Sequence, residues 1–181
     1  ESHGKGLIGI IEGIPAGMNI SEEYIEKDLL RRMQGHGRGG RMKIEKDHAE
    51  IFSGVRHAVT LGSPISLLIK NFDWVNWEDR MATGKPKKEH RKVSMPRPGH
   101  ADLAGVMKYG LDDIRNVLER SSARETAMRV AIGAVCRKLL EEVGITVGSR
   151  VYQIHNIVDN TPVSNDMGLK ELNDTVDASP V

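Results

Sequence analysis

The stretch SARETAMRVAIGAVCRKLLEE, residues 122–142, sets Ala127, Val130, Ala131, Ala134, Val135 and Leu139 at helical spacing. Their side chains gather on one face of a predicted helix. Most are small, so a second element can pack very close to that face. Gly144 follows as a natural left-handed terminator. Upstream the period changes. Residues 6–13 (GLIGIIEG) are apolar and β-branched and predict a buried strand. Residues 48–56 and 63–70 predict two more strands around a turn, with Gly62-Ser63-Pro64 as punctuation. Between the first and second strands, Ser21 is a predicted N-cap, with Glu22 and Glu23 in the first turn where the helix dipole favours acids. Ile25, Leu29, Leu30 and Met33 give that helix its apolar face, and Gly35 is expected to end it. After Gly99-His100 comes another helical stretch. Residues 145–154 (ITVGSRVYQI) predict a further strand, and a short helix is expected over about 168–176. Strand pairs and helices do not alternate one for one, so the predicted class is α+β with antiparallel sheet.

The 181 residues suffice for one sizeable domain and not for two. Lys and Arg total 26 against 25 acids, a net charge of +1, which excludes the strong basic field of a nonspecific nucleic-acid binder. Cys136 is the only cysteine, so no intramolecular disulfide forms; this fits a reducing, cytoplasmic setting. No apolar run approaches the ~20 residues of a membrane span, and no membrane partner is expected. The opening Glu1-Ser2-His3-Gly4 has neither an initiator Met nor the pattern of a signal peptide, so the chain is expected to be part of a longer protein. Residues 79–98 hold Lys85, Lys87, Lys88, Arg91, Lys92 and Arg97 with three prolines. They predict a long basic loop, mobile without a ligand.

Three segments carry candidate chemistry. In the first, His3 sits between Ser2 and Gly4 at the entrance of a strand, where it can exchange protons near neutral pH. The second spaces Arg31, Arg32, Arg38 and Arg41 with glycines, in the loop Gly35-His36-Gly37-Arg38-Gly39-Gly40-Arg41. Glycine lets backbone amides approach a ligand, and guanidinium groups grip phosphate or carboxylate with two prongs. The third joins Arg97-Pro98-Gly99-His100-Ala101-Asp102 to Glu119-Arg120-Ser121-Ser122-Ala123-Arg124-Glu125-Thr126. Ser122 with Glu125 reads as a capping box, and a capped helix start is also where an anion sits. Arg120 and Arg124 add charge at either end of that turn.

In kind and order these motifs resemble those of chorismate synthases. The resemblance covers the whole chain and about half of the family's length. It implies conversion of 5-enolpyruvylshikimate 3-phosphate to chorismate by 1,4-elimination of phosphate, with reduced FMN required although there is no net redox change. The substrate carries a phosphate and two carboxylates, which a site dense in Arg suits. By this match His3 lies by the leaving phosphate and His100 protonates the reduced flavin, both within one cleft. Arg120, Ser121, Ser122 and Ala123 match the FMN-binding turn. Arg32 and Arg38 match positions used for NADPH or the substrate anion, and Arg38, Arg41 and Arg124 are expected on the substrate. The family fold places helices between antiparallel sheets, a β-α-β sandwich, in a homotetramer. The chain alone is expected to be inactive, because further FMN contacts belong to the other half. One departure is visible: many members carry Gly-Lys-Thr where this chain has Ala58-Val59-Thr60.

Two other classes fit part of the pattern. An NAD(P)H-dependent flavin reductase shares the cofactors and the Arg pair, but there is no Gly-x-Gly-x-x-Gly turn between a strand and a helix. An RNA-binding module accounts for Arg38, Arg41 and the Lys run, but not for the two histidine motifs. Aromatic residues, at 4%, are too few to stack bases.

Overall fold

The computed structural model describes residues 1–34, 47–160 and 168–178. Its centre is a three-stranded antiparallel sheet in the order β1-β5-β2, formed by Gly6–Ile11 (β1), Ala49–Ser53 (β2) and Ile65–Lys70 (β5). Register pairs Leu7 with Ile69, Gly9 with Leu67 and Ile11 with Ile65. Side chains alternate across a strand, so these residues all point to one face. Two helices cover that face: α1 (Glu22–Met33) and α5 (Glu125–Glu142). Ile25 and Leu29 of α1 and Ala127, Ala131, Ala134 and Val135 of α5 are buried there, as their spacing predicted. Gly9 explains the close approach of sheet and helix. A Cβ at Gly9 would stand 2.6 Å from Met128 Sδ and 2.8 Å from Ile132 Cδ1. The outer face of the sheet carries Ile8 and Ile10, both exposed. The antiparallel α+β class therefore holds; among the described residues, α1 and α5 form one layer on the three-stranded sheet.

Ser21 caps α1 as expected, its Oγ accepting the Tyr24 N–H at 3.3 Å. The expected strand over 48–56 is cut in two. At Gly54, with φ +82, a Cβ would meet Ile65 Cγ1 and Pro64 O at 2.7 Å. There the chain leaves β5 and forms a separate hairpin of β3 (Val55–Arg56) and β4 (Val59–Thr60), closed by His57 and Ala58 in the left-handed region. Residues 145–152 are not a strand. Ile145, Val147 and Val151 lie exposed with no sheet edge to join, and pairing begins only at β6 (Gln153–Ile154) with β7 (Ile157–Val158). The C-terminal helix α6 spans Leu169–Asp177.

A short helix α2 (Trp74–Trp77) follows the sheet. Residues 79–98 then run without helix or strand, held by polar tethers in place of apolar anchors. Asp79 accepts the Lys87 N–H at 2.6 Å and pairs with His90 at 2.8 Å, while Ile114 N–H donates to Val93 O at 2.9 Å. Next come α3 (Asp102–Tyr109) and α4 (Arg115–Ser121), which pack together because Gly105 has no side chain: a Cβ there would lie 2.5 Å from Val117 Cγ1.

Candidate functional site

The turn between α4 and α5 draws the first and third motifs together. Ser2, fully buried, donates its N–H to Glu119 O at 3.1 Å and its hydroxyl to Ser122 Oγ at 2.8 Å. Ser121 is the last residue of α4, and its hydroxyl donates to Val117 O at 2.8 Å. The capping box expected at Ser122 does not form. Ser122 is extended and ends α4, α5 starts only at Glu125, and the Glu125 carboxylate turns to Arg129 at 2.7 Å. Ser122 instead braces the turn, its Oγ accepting the Arg124 N–H at 3.3 Å and its carbonyl accepting the Glu125 N–H at 3.0 Å.

His3 is held on three sides. The Glu119 carboxylate accepts its backbone N–H at 2.7 Å and lies 2.9 and 3.1 Å from ring Nδ1. The imidazole sits against Trp77 with ring centroids 3.9 Å apart. Arg115 lies 5.2 Å from the Trp77 centroid and donates to Glu119 Oε1 at 3.3 Å. His100 has a carboxylate of its own, 2.8 Å from Nδ1, in fully buried Asp102. Arg97 grips Asp102 with its backbone N–H at 2.9 Å and its guanidinium at 3.0 Å. That grip holds the Asp102 carboxyl well below the usual carboxylate range and pushes the Arg97 guanidinium up. The two histidines thus occupy separate carboxylate clusters, one entering α3 and one on α4, and those two helices adjoin.

Two of the expected anion-binding arginines are engaged within the protein. Asp47, buried, pairs with Arg124 and, at 3.3 Å, with Arg32. Arg32 also donates to Ala123 O at 3.0 Å and to Thr126 Oγ1 at 3.1 Å, tying α1 to the turn. Arg124 is only 5% exposed. Arg120, by contrast, is exposed and lines a cleft of about 340 Å³ with Glu1, Leu7, Ile8, Met128 and Arg129. Ala123 is exposed on the same turn. Arg38 and Arg41 lie outside the described residues.

Sequence reasoning missed Glu119, Trp77, Arg115 and Asp47. Glu119 stands inside a quoted motif, but nothing in linear spacing pairs it with a histidine 116 positions away. Among the described residues, no helix is long and apolar enough to cross a membrane.

A family model described as chorismate synthase matches residues 1–179. A chorismate synthase of Syntrophomonas wolfei is 56% identical over 182 residues, covering 100% of this chain and 46% of its own length. That of Aquifex aeolicus is 61% identical over 155 residues, covering 85% of this chain and 39% of its own. That of Listeria monocytogenes is 52% identical over 184 residues, covering 100% and 47%. A crystal structure of a chorismate synthase superposes with a TM-score of 0.60 at 49% identity, over 82% of this chain and 34% of the other. The chain spans less than half the length of the relatives it matches.

Proposed function

The chain belongs to the chorismate synthase family, and from that premise we propose that its protein is a lyase that converts 5-enolpyruvylshikimate 3-phosphate to chorismate with release of phosphate. The observation that carries this reading is the joining of Ser2-His3 to Glu119 and Ser122, which makes one site of motifs more than 100 residues apart in the sequence. The reaction needs proton exchange beside anions, and the site supplies histidines braced by carboxylates next to arginines.

The residues fit a flavin phosphate. Arg120 is exposed in the cleft along β1 and α5, where Arg129 is already paired with Glu125 at 2.7 Å. When bound, reduced FMN supplies transient electron density that lets the substrate phosphate leave. Arg120 grips the cofactor, and Ser121, Ser122 and Ala123 shape the turn that presents it. The hydroxyls of Ser121 and Ser122 bond within the protein, so their part is to fix that turn. His100, whose Nδ1 lies 2.8 Å from Asp102 Oδ1 and 2.9 Å from Arg97 Nη2, would be the residue that exchanges a proton with the cofactor. His3 hands a proton to the departing phosphate. Arg38 holds the substrate anion or NADPH, the latter as a source of reducing equivalents, and Arg41 holds the substrate anion. Arg32 and Arg124, engaged with Asp47, brace the turn between α4 and α5. The active protein is a cytoplasmic homotetramer.

In the full-length protein, with pre-reduced FMN under anaerobic conditions, His100→Ala should lower kcat by about 10²–10⁴-fold with little change in KM. Arg38→Ala should raise KM as well, because it removes a grip on the ground-state anion. Near-normal kcat in His100→Ala with only KM raised would withdraw the acid–base role.

A further inference from the structure

One side chain fixes both the backbone and the ring of His3. Glu119, with 1% of its side chain exposed, takes the His3 N–H on Oε2 at 2.7 Å and faces Nδ1 with both oxygens, at 2.9 and 3.1 Å. Arg115, one turn earlier on α4, steadies Oε1 from the far side, and Trp77 closes the ring's flank. A carboxylate only accepts hydrogen bonds, so the proton shared with it stands on Nδ1. The partner of one imidazole nitrogen decides the state of the other.

We infer that Glu119 is a positioning residue that keeps a proton on Nδ1 of His3, so that Nε2 is the nitrogen through which His3 exchanges protons with the substrate. This rests on the proposed placement of His3 at the leaving phosphate. No bond to Glu119 changes in the reaction: the doubly protonated imidazolium gives its Nε2 proton to the phosphate oxygen and becomes the neutral ring, whose one remaining proton stays on Nδ1 against the carboxylate. If instead Glu119 merely anchored the buried N-terminal segment, any side chain that kept the backbone hydrogen bond would serve.

Glu119→Gln separates the two roles. The His3 N–H, the shortest contact at 2.7 Å, requires an acceptor, so the Gln carbonyl oxygen takes the place of Oε2; its NH₂ takes the place of Oε1, 2.9 Å from Nδ1, and gives up the 3.3 Å contact with Arg115. A donor there calls for a lone pair on Nδ1 and moves the ring proton to Nε2. In full-length protein with ¹⁵N-labelled histidine, the His3 ring signals are assigned by their loss in His3→Gln. In the neutral ring, wild type should show the proton on Nδ1 and Glu119→Gln should show it on Nε2. With pre-reduced FMN, kcat of Glu119→Gln should fall by about 10²–10⁴-fold while FMN affinity and far-ultraviolet circular dichroism stay unchanged, in line with the cost of a wrong histidine tautomer.

A neutral wild-type His3 ring with its single proton on Nε2, or a folded Glu119→Gln with wild-type kcat, overturns the inference. If Glu119→Gln does not fold, the wild-type tautomer alone decides. The ring assignment needs no substrate, so wild-type protein that releases no phosphate refutes the proposed function and leaves the test of Glu119 intact.

Discussion

Replacing Asp47 by Leu should cost the protein about 3–5 kcal/mol of stability, because it strands charge in the interior. The Asp47 side chain is 1% exposed, and that of its partner Arg124 is 3% exposed. Without the carboxylate, the Arg124 guanidinium loses its charged partner among the described residues and keeps Lys70 O at 3.4 Å, a neutral and distant acceptor. Arg32 loses its 3.3 Å contact at the same time. At ~2–4 °C per kcal/mol for a domain of this size, the melting point should drop by about 6–20 °C. The double variant Asp47→Leu/Arg124→Met removes both charges and leaves apolar volume, which buried pairs often tolerate. It should therefore be more stable than the sum of the single losses allows, by about 1–3 kcal/mol. Urea denaturation of wild type, both single variants and the double variant supplies the cycle. A loss below about 1 kcal/mol in Asp47→Leu, or strict additivity in the double variant, would refute the claim that this pair pins the α4–α5 turn.

Asp102 links stability to acid. Arg97 holds its carboxyl below the ordinary value, so below about pH 4 the unfolded chain takes up a proton that the native state refuses. Its contribution is complete above that pH and is lost as pH falls through the folded-state value. Asp102→Asn should be less stable at neutral pH and should lose less of its stability between pH 5 and pH 3; parallel acid profiles would contradict this. Ala58, at φ +60, occupies a conformation that glycine adopts without steric cost. Ala58→Gly should raise stability by about 1 kcal/mol in urea titration, and a loss would show that the hairpin does not bear that strain.

Local periodicity made the central helix and its partner legible. The small residues Ala127, Ala131, Ala134 and Val135 of α5 are buried in the core, Gly9 leaves room on β1 for Met128 and Ile132, and Gly144 stands at φ +78 past the end of the helix. The hairpin at 55–60 was not legible, since it depends on Gly54 meeting Pro64 and Ile65 across the sheet and on His57 and Ala58 adopting positive φ. Residues 145–152 carry the alternation of a strand, but a strand needs a neighbour, and alternation does not say whether one exists. In the site, the histidines and arginines announced themselves by type and order. Their carboxylates did not. Glu119 and Asp47 acquire meaning only when folding brings them to His3 and to Arg32 and Arg124, and the same contacts turn two presumed ligand-binding cations inward.

Anaerobic turnover of the full-length protein with pre-reduced FMN tests the proposed activity most directly. Given 5-enolpyruvylshikimate 3-phosphate, it should yield chorismate and inorganic phosphate in equal amounts with no net consumption of reduced flavin. Oxidation of NADPH with flavin reduction but no phosphate release would contradict that activity and point to a reductase, and salt-sensitive capture of an oligonucleotide without FMN binding would point to a nucleic-acid module.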